Sequence, residues 1–139
     1  MTIEEIQNEI VDEFSMFDDW MQRYEYIIEL GKSLPLIEEQ YKTEENIIKG
    51  CQSKVWVHAE EKEGNIVFTA DSDAILTKGI IGILIRTFSN QPAQAILDAK
   101  TDFIDEIGLK EHLSPTRANG LVSMIKQIKM YALAFLSKK

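Results

Sequence analysis

Apolar residues open the chain at helical spacing. Ile3, Ile6, Ile10, Phe14 and Phe17 recur at three- and four-residue steps, which makes one buried stripe. Asp18 or Asp19 then offers a cap for a second helix, with Trp20, Tyr24, Ile27, Ile28 and Leu30 facing inward. Gly31 reads as its stop, and Leu34-Pro35-Leu36 breaks the pattern. No long period runs through residues 37 to 53, so they read as a connection, with a short strand at Ile47-Ile48 leading to Gly50-Cys51.

The period then changes to two. Ser53 to Ala59 and Asn65 to Ala70 are rich in β-formers, and Glu63-Gly64-Asn65 supplies a turn, so a hairpin is predicted. Alternation sets Val55, Val57 and Ala59 on one face and Trp56 and His58 on the other. Asp71-Ser72-Asp73 marks a helix start, and Ala74 to Phe88 is an apolar helix rich in Ile and Gly. Pro92 begins a short helix that buries Ala95, Ile96 and Leu97. Phe103, Ile104 and Ile107 suggest a further turn or two, closed by Gly108. After Leu113-Ser114-Pro115 comes the longest periodic run, Leu121, Met124, Ile125, Ile128, Tyr131, Ala132 and Phe135. Helices, a small antiparallel sheet and more helices amount to an α+β fold, expected as one domain over residues 1–139.

Composition narrows the function classes. With 45% apolar and 27% charged residues, the chain suits a globular domain with a sizeable core. Its longest apolar run, Gly79 to Ile85, ends at Arg86 and is far too short for a membrane span. The acidic start, Met1-Thr2-Ile3-Glu4-Glu5, does not resemble a secretory signal. Together with a single cysteine this predicts a reducing, cytoplasmic compartment. A net charge of -8 argues against nucleic acid as a partner. Acids crowd the start of the chain and Arg117, Lys126, Lys129, Lys138 and Lys139 its end. That asymmetry suits either helix dipoles or a polar surface for a protein partner.

The lone cysteine, Cys51, is the residue with the most chemical consequence. One thiol forms no internal disulfide, no Cys-rich zinc site and no Cys-x-x-Cys pair. It is a nucleophile, a carrier or an inert core residue. Gly50 allows a tight turn beside the sulfur, and Lys49 and Lys54 bracket it in a way that would favour the thiolate. The two histidines, His58 and His112, show no cysteine-protease signature with it. No metal-ligand spacing and no phosphate-binding Gly loop occur.

The segment Asn46-Ile47-Ile48-Lys49-Gly50-Cys51-Gln52-Ser53-Lys54-Val55-Trp56 closely resembles the signature loop of the SufE family, the sulfur acceptors of iron–sulfur cluster assembly. Three further blocks resemble the family in the same order. They are Tyr26-Ile27-Ile28-Glu29-Leu30-Gly31, Asp71-Ser72-Asp73-Ala74 with Lys78-Gly79, and Leu113-Ser114-Pro115-Thr116-Arg117-Ala118-Asn119-Gly120-Leu121. Ile81-Gly82-Ile83 and Asn90-Gln91-Pro92 are less typical.

The resemblance implies a small antiparallel sheet of about three strands packed against helices, a fold shared with IscU-type scaffolds. It also implies a role without independent turnover. Cys51 would accept persulfide sulfur from a cysteine desulfurase of the SufS/CsdA type, stimulate that enzyme, and pass sulfur to a cluster-assembly scaffold of the SufBCD type. Pyridoxal phosphate would reside on the desulfurase, and this chain would need no cofactor and no metal. Gly50, Gln52 and Ser53 would form the loop, and Ile48, Val55 and Trp56, with Ile47, would shelter the cargo. Asp73 and Arg117 are carried over as partner contacts or as the thiol's environment. Against that, Asp73 could simply cap the next helix and Arg117 could be an ordinary solvated residue. An alternative keeps Cys51 incidental and makes the chain an allosteric activator by binding alone.

Overall fold

The computed structural model describes residues 1–138. Two helices lead, α1 (Ile3–Ser15) and α2 (Trp20–Gly31). Thr2 and Glu5 form a reciprocal capping box on α1, and Asp19 caps α2 by accepting from Gln22 N. Two short 3-10 turns, Glu39–Tyr41 and Glu44–Asn46, precede the hairpin of β1 (Val55–Lys62) and β2 (Asn65–Ser72). Then come α3 (Ile75–Phe88), the two-residue β3 (Gln91–Pro92), and α4 (Ala93–Asp98). Last are α5 (Asp102–Glu106), α6 (Leu109–His112) and the long α7 (Pro115–Ser137).

The sheet has three strands in the order β1-β2-β3, all antiparallel. Its hairpin turns on Glu63 and Gly64 at φ 53° and 84°, the left-handed pair that matches strand twist. Val55, Val57, Ile66, Phe68 and Ala70 are buried, while Trp56 and His58 stand on the opposite, partly exposed face. The expected α+β architecture is therefore present, with helices covering one face of the sheet. The hairpin runs further than Ala59 and Ala70, because Glu60 to Lys62 pair with Asn65 to Val67 despite their polarity. Ile47-Ile48 contributes only a bridge, Ile47 opposite Trp56, rather than a strand.

Two other expectations change. Gly31 does not stop α2 in a left-handed cap; it is the helix's last residue and lies buried against α3. A Cβ there would sit 2.9 Å from Gly79 N, and a Cβ on Gly79 would sit 2.7 Å from Ile27 Cγ2 and 2.8 Å from its carbonyl carbon. These glycines let two helix backbones meet. The dipole reading of the charges holds at α1, with Glu4 and Glu5 in its first turn, but the last turn of α7 carries no base. Its cations serve elsewhere: Lys129 Nζ donates to the carbonyls of Ile96, Leu97 and Ala99 at 2.9, 3.1 and 2.8 Å, tying α7 to the end of α4.

Candidate functional site

Cys51 lies at the tip of the loop that joins the second 3-10 turn to β1. The base of this loop is pinned. Ile48 N donates to Val55 O at 2.8 Å, and both side chains are buried in the core. Asp73 clamps the other side: its carboxylate accepts from Lys54 N at 3.1 Å, and its own N donates to Lys54 O at 3.2 Å. Asp73 does not cap α3, whose cap position is Ala74 with no side-chain bond. Ser72 Oγ joins the clamp by donating to Lys54 O at 2.8 Å.

The tip rests on α7. Gly50 has φ 92°, a conformation that glycine adopts without strain, and a Cβ there would meet Ser123 Oγ at 2.5 Å. Cys51 is half-buried, and its Sγ–H points to Gly120 O at 3.6 Å. Gly120 is buried beneath it, and a Cβ on that glycine would stand 3.3 Å from Cys51 Sγ. Cys51 lines a cavity of about 40 Å³, together with Gly120, Gln52, Ser53, Thr77, Ile80, Thr116, Arg117 and Met124.

Burial pushes the Cys51 thiol above its ordinary pKa, and burial is the only cause acting on it. Lys49 and Lys54 are exposed and do not offset it. The resting thiol is thus protonated and weakly nucleophilic at neutral pH.

The other anticipated residues divide. Gln52, Ser53 and Arg117 share the cavity with Cys51, with Arg117 exposed at its rim. Ile48 and Val55 lie under the loop in the core, and Trp56 stands away from the cavity, with Lys42 Nζ 5.4 Å from its ring centre. The cavity walls are supplied instead by Thr77 and Ile80 of α3 and Gly120 and Met124 of α7. A glycine on the buried side of the amphipathic α7 and a threonine inside the apolar run of α3 were the available signals for two of them.

Neither histidine joins the thiol. His58 stacks on Tyr41 and bonds Glu60, and His112 stacks on Trp20. Among the described residues no His, Cys, Asp or Glu group has the makings of a metal site, and no helix is long and apolar enough to cross a membrane.

Comparison with known proteins places this geometry in context. Residues 8–132 match the family model SufE, described as an Fe-S metabolism associated domain. An uncharacterized SufE-like protein of Rhizobium etli is 44% identical over 128 residues, covering 88% of this chain and 86% of that one. One from Rhizobium meliloti is 44% identical over 131 residues, covering 90% and 93%. SufE-like protein 1, chloroplastic/mitochondrial, of Arabidopsis thaliana is 41% identical over 126 residues, which is 90% of this chain but 34% of that longer protein. The solution structure of a hypothetical protein from Thermus thermophilus superposes with a TM-score of 0.79 at 19% identity, covering 95% of this chain and 96% of the other, a likeness of fold.

Proposed function

The chain belongs to the SufE family of Fe-S metabolism proteins, and from that premise we propose that it is a sulfur carrier which accepts persulfide sulfur on Cys51 from a cysteine desulfurase. The observation that carries this reading is the placement of the only thiol. It sits on a loop tip whose base is hydrogen-bonded and which lines a small cavity.

The chemistry is thiol–disulfide exchange with sulfur as cargo. The Cys51 thiolate attacks the terminal sulfur of the desulfurase persulfide. The donor's S–S bond breaks, an S–S bond forms on Cys51, and the donor cysteine leaves as thiolate. No net oxidation occurs, so no cofactor is assigned to this chain; pyridoxal phosphate belongs to a desulfurase of the SufS/CsdA type. A second exchange of the same kind hands the sulfur to a scaffold of the SufBCD type. A single cysteine suits this cycle, because a second one nearby would expel the cargo by closing a disulfide. A reducing cytoplasmic setting keeps such a thiol free.

The resting geometry supports an inactive, sheltered state. The half-buried, protonated sulfur bonded to Gly120 O attacks poorly. Docking on the desulfurase swings the tip out about Gly50, while the Ile48–Val55 and Lys54–Asp73 bonds hold its base. The exposed Arg117 is then free to meet an acidic group of the partner.

Replacing Cys51 with Ser tests the reading. The expected result is retained binding to the desulfurase with loss of its stimulation. A Cys51→Ser chain that stimulates as well as wild type contradicts the carrier reading and favours activation by binding alone.

A further inference from the structure

The cavity beside Cys51 contains a polar group that the exchange reaction does not explain. Thr77 is only 6% exposed, occupies the third position of α3, and lines the same space as the sulfur. The other buried threonine of this helix, Thr87, donates to Ile83 O at 2.9 Å. The Thr77 hydroxyl makes no side-chain hydrogen bond to the described residues, and since no unpartnered side-chain oxygen among them is sealed from solvent, it reaches accessible space on a residue that lines this cavity. A hydroxyl on a nearly buried residue that lines a site and has no protein partner is free to bond a guest held there.

The surroundings indicate what that ligand is. The start of α3 has no side-chain cap, since Ala74 offers no oxygen, and Thr77 of its first turn lines the cavity, which sets both an uncapped helix start and the positive end of its dipole near this space. Both favour an electron-rich, acceptor-type guest. Ile80 and Met124 limit water. The cavity measures about 40 Å³. Some 10–15 Å³ of such space holds one water, so there is room for one further large atom. The sulfur that opens on this space is Cys51. The elements also differ in mobility of attachment. Gln52 and Ser53 ride on the loop and leave with it, and Thr116 and Arg117 are exposed at the rim. Thr77 is fixed in a buried helix, so it meets the cargo only when the loop is folded in.

We propose that the Thr77 hydroxyl is a cargo-binding donor, which holds the terminal sulfur of the Cys51 persulfide in this cavity between loading and delivery. The proposal rests on the carrier reading above and adds a residue to it. The Thr77 O–H donates to the terminal sulfur, while Gly120 O accepts the S–H of the unloaded thiol. No bond is made or broken at Thr77. Its effect is on how long the stored sulfur survives, not on how fast it is received.

The test uses the full chain as wild type, Thr77→Val and Thr77→Ser. Each is loaded with a cysteine desulfurase and free cysteine, separated from the enzyme, and exposed to dithiothreitol while intact mass is followed. Loss is normalised to the sulfur each chain carries at the start, and the expected result is loss about five- to tenfold faster from Thr77→Val and within about twofold of wild type from Thr77→Ser, as one ordinary hydrogen bond allows. Thr77→Val removes a hydroxyl without a partner, so the unloaded variant melts no lower than wild type. Equal lifetimes in wild type and Thr77→Val overturn the proposal. So does loss from Thr77→Ser as fast as from Thr77→Val, which would make the methyl group responsible, or a lower melt of unloaded Thr77→Val. A wild-type chain that never gains sulfur overturns the carrier reading itself, a result distinct from all of these.

Discussion

Two glycines on facing elements make two close contacts of different kinds. Gly79 of α3 admits the backbone of Ile27 and its Cγ2, so helix meets helix at a backbone that cannot yield. Gly120 of α7 admits the Cys51 sulfur, the end of a side chain on a loop tip. The first contact joins elements with their own hydrogen-bonded ladders and is buried on all sides. The second closes a cavity at the surface and holds its loop through one long Sγ–H contact. The same device, a missing Cβ, joins two helices in one place and seats a loop tip in the other. What differs is whether the neighbour can leave.

Substitution separates the two most strongly. Gly79→Ala drives a Cβ into the carbonyl group of Ile27 and should destabilise the fold by more than about 3 kcal/mol, measured by urea or thermal unfolding. Gly120→Ala meets only the sulfur, at 3.3 Å, and the loop can give way. The fold should keep its stability to within about 1 kcal/mol. The displaced thiol should react with a bulky maleimide about fivefold faster, the equivalent of roughly 1 kcal/mol of shifted local equilibrium. Large destabilisation by Gly120→Ala with unchanged labelling would erase the distinction.

The two regions also answer to opposite ends of the pH scale. Arg86 donates to Glu13 and Glu9 and joins α3 to α1. The Arg86 guanidinium holds the Glu13 carboxyl below its ordinary pKa. A depressed acid stabilises the fold above its unfolded pKa and loses that contribution as pH falls through the folded value. Acid should therefore loosen the helix layer, and Glu13→Gln should flatten that part of the stability profile. At Cys51 burial raises the pKa. Its contribution is complete below the unfolded thiol value and is lost as pH rises through the folded one. Alkylation of Cys51 should accordingly take off at higher pH than that of an unfolded cysteine peptide. A profile at or below the ordinary thiol value would contradict the sheltered resting state.

The smallest effect is expected at the loop's base. Asp73→Ala removes the acceptor for Lys54 N, an exposed bond, and should cost about 1 kcal/mol or less while leaving the start of α3, which has no side-chain cap, unchanged. If α3 frayed instead, in hydrogen exchange, the carboxylate would be serving the helix rather than the loop.

Much of this was legible in the chain. The stripe from Ile3 to Phe14, the alternation from Val55 to Ala59 and the run from Leu121 to Phe135 each bury the side they indicate, because period alone decides which positions share a face, while Phe17 lies beyond the end of α1 and is only partly buried. Cys51 was legible as the residue of consequence, since a lone thiol beside a glycine excludes so much. Its walls were not. Ile48, Val55 and Trp56 are its neighbours in sequence, but β alternation sends Val55 into the core and Trp56 to the other face. The thiol is instead enclosed by Thr77 and Ile80 from α3 and Gly120 and Met124 from α7, contacts between residues far apart in the chain that no local pattern encodes. Gly31 misled for a related reason. A glycine near a helix end reads as a stop, while here it provides clearance for a second helix, and only the packing tells the two apart.

The central claim is that Cys51 receives sulfur from a partner enzyme. Its most direct measurement is the intact mass of the chain after incubation with a cysteine desulfurase and free cysteine, with the added mass mapped by proteolysis. The account predicts a gain of one sulfur atom on the peptide that contains Cys51, removed by a reductant and absent from Cys51→Ser. No gain on wild type, or the same gain on Cys51→Ser, would contradict it.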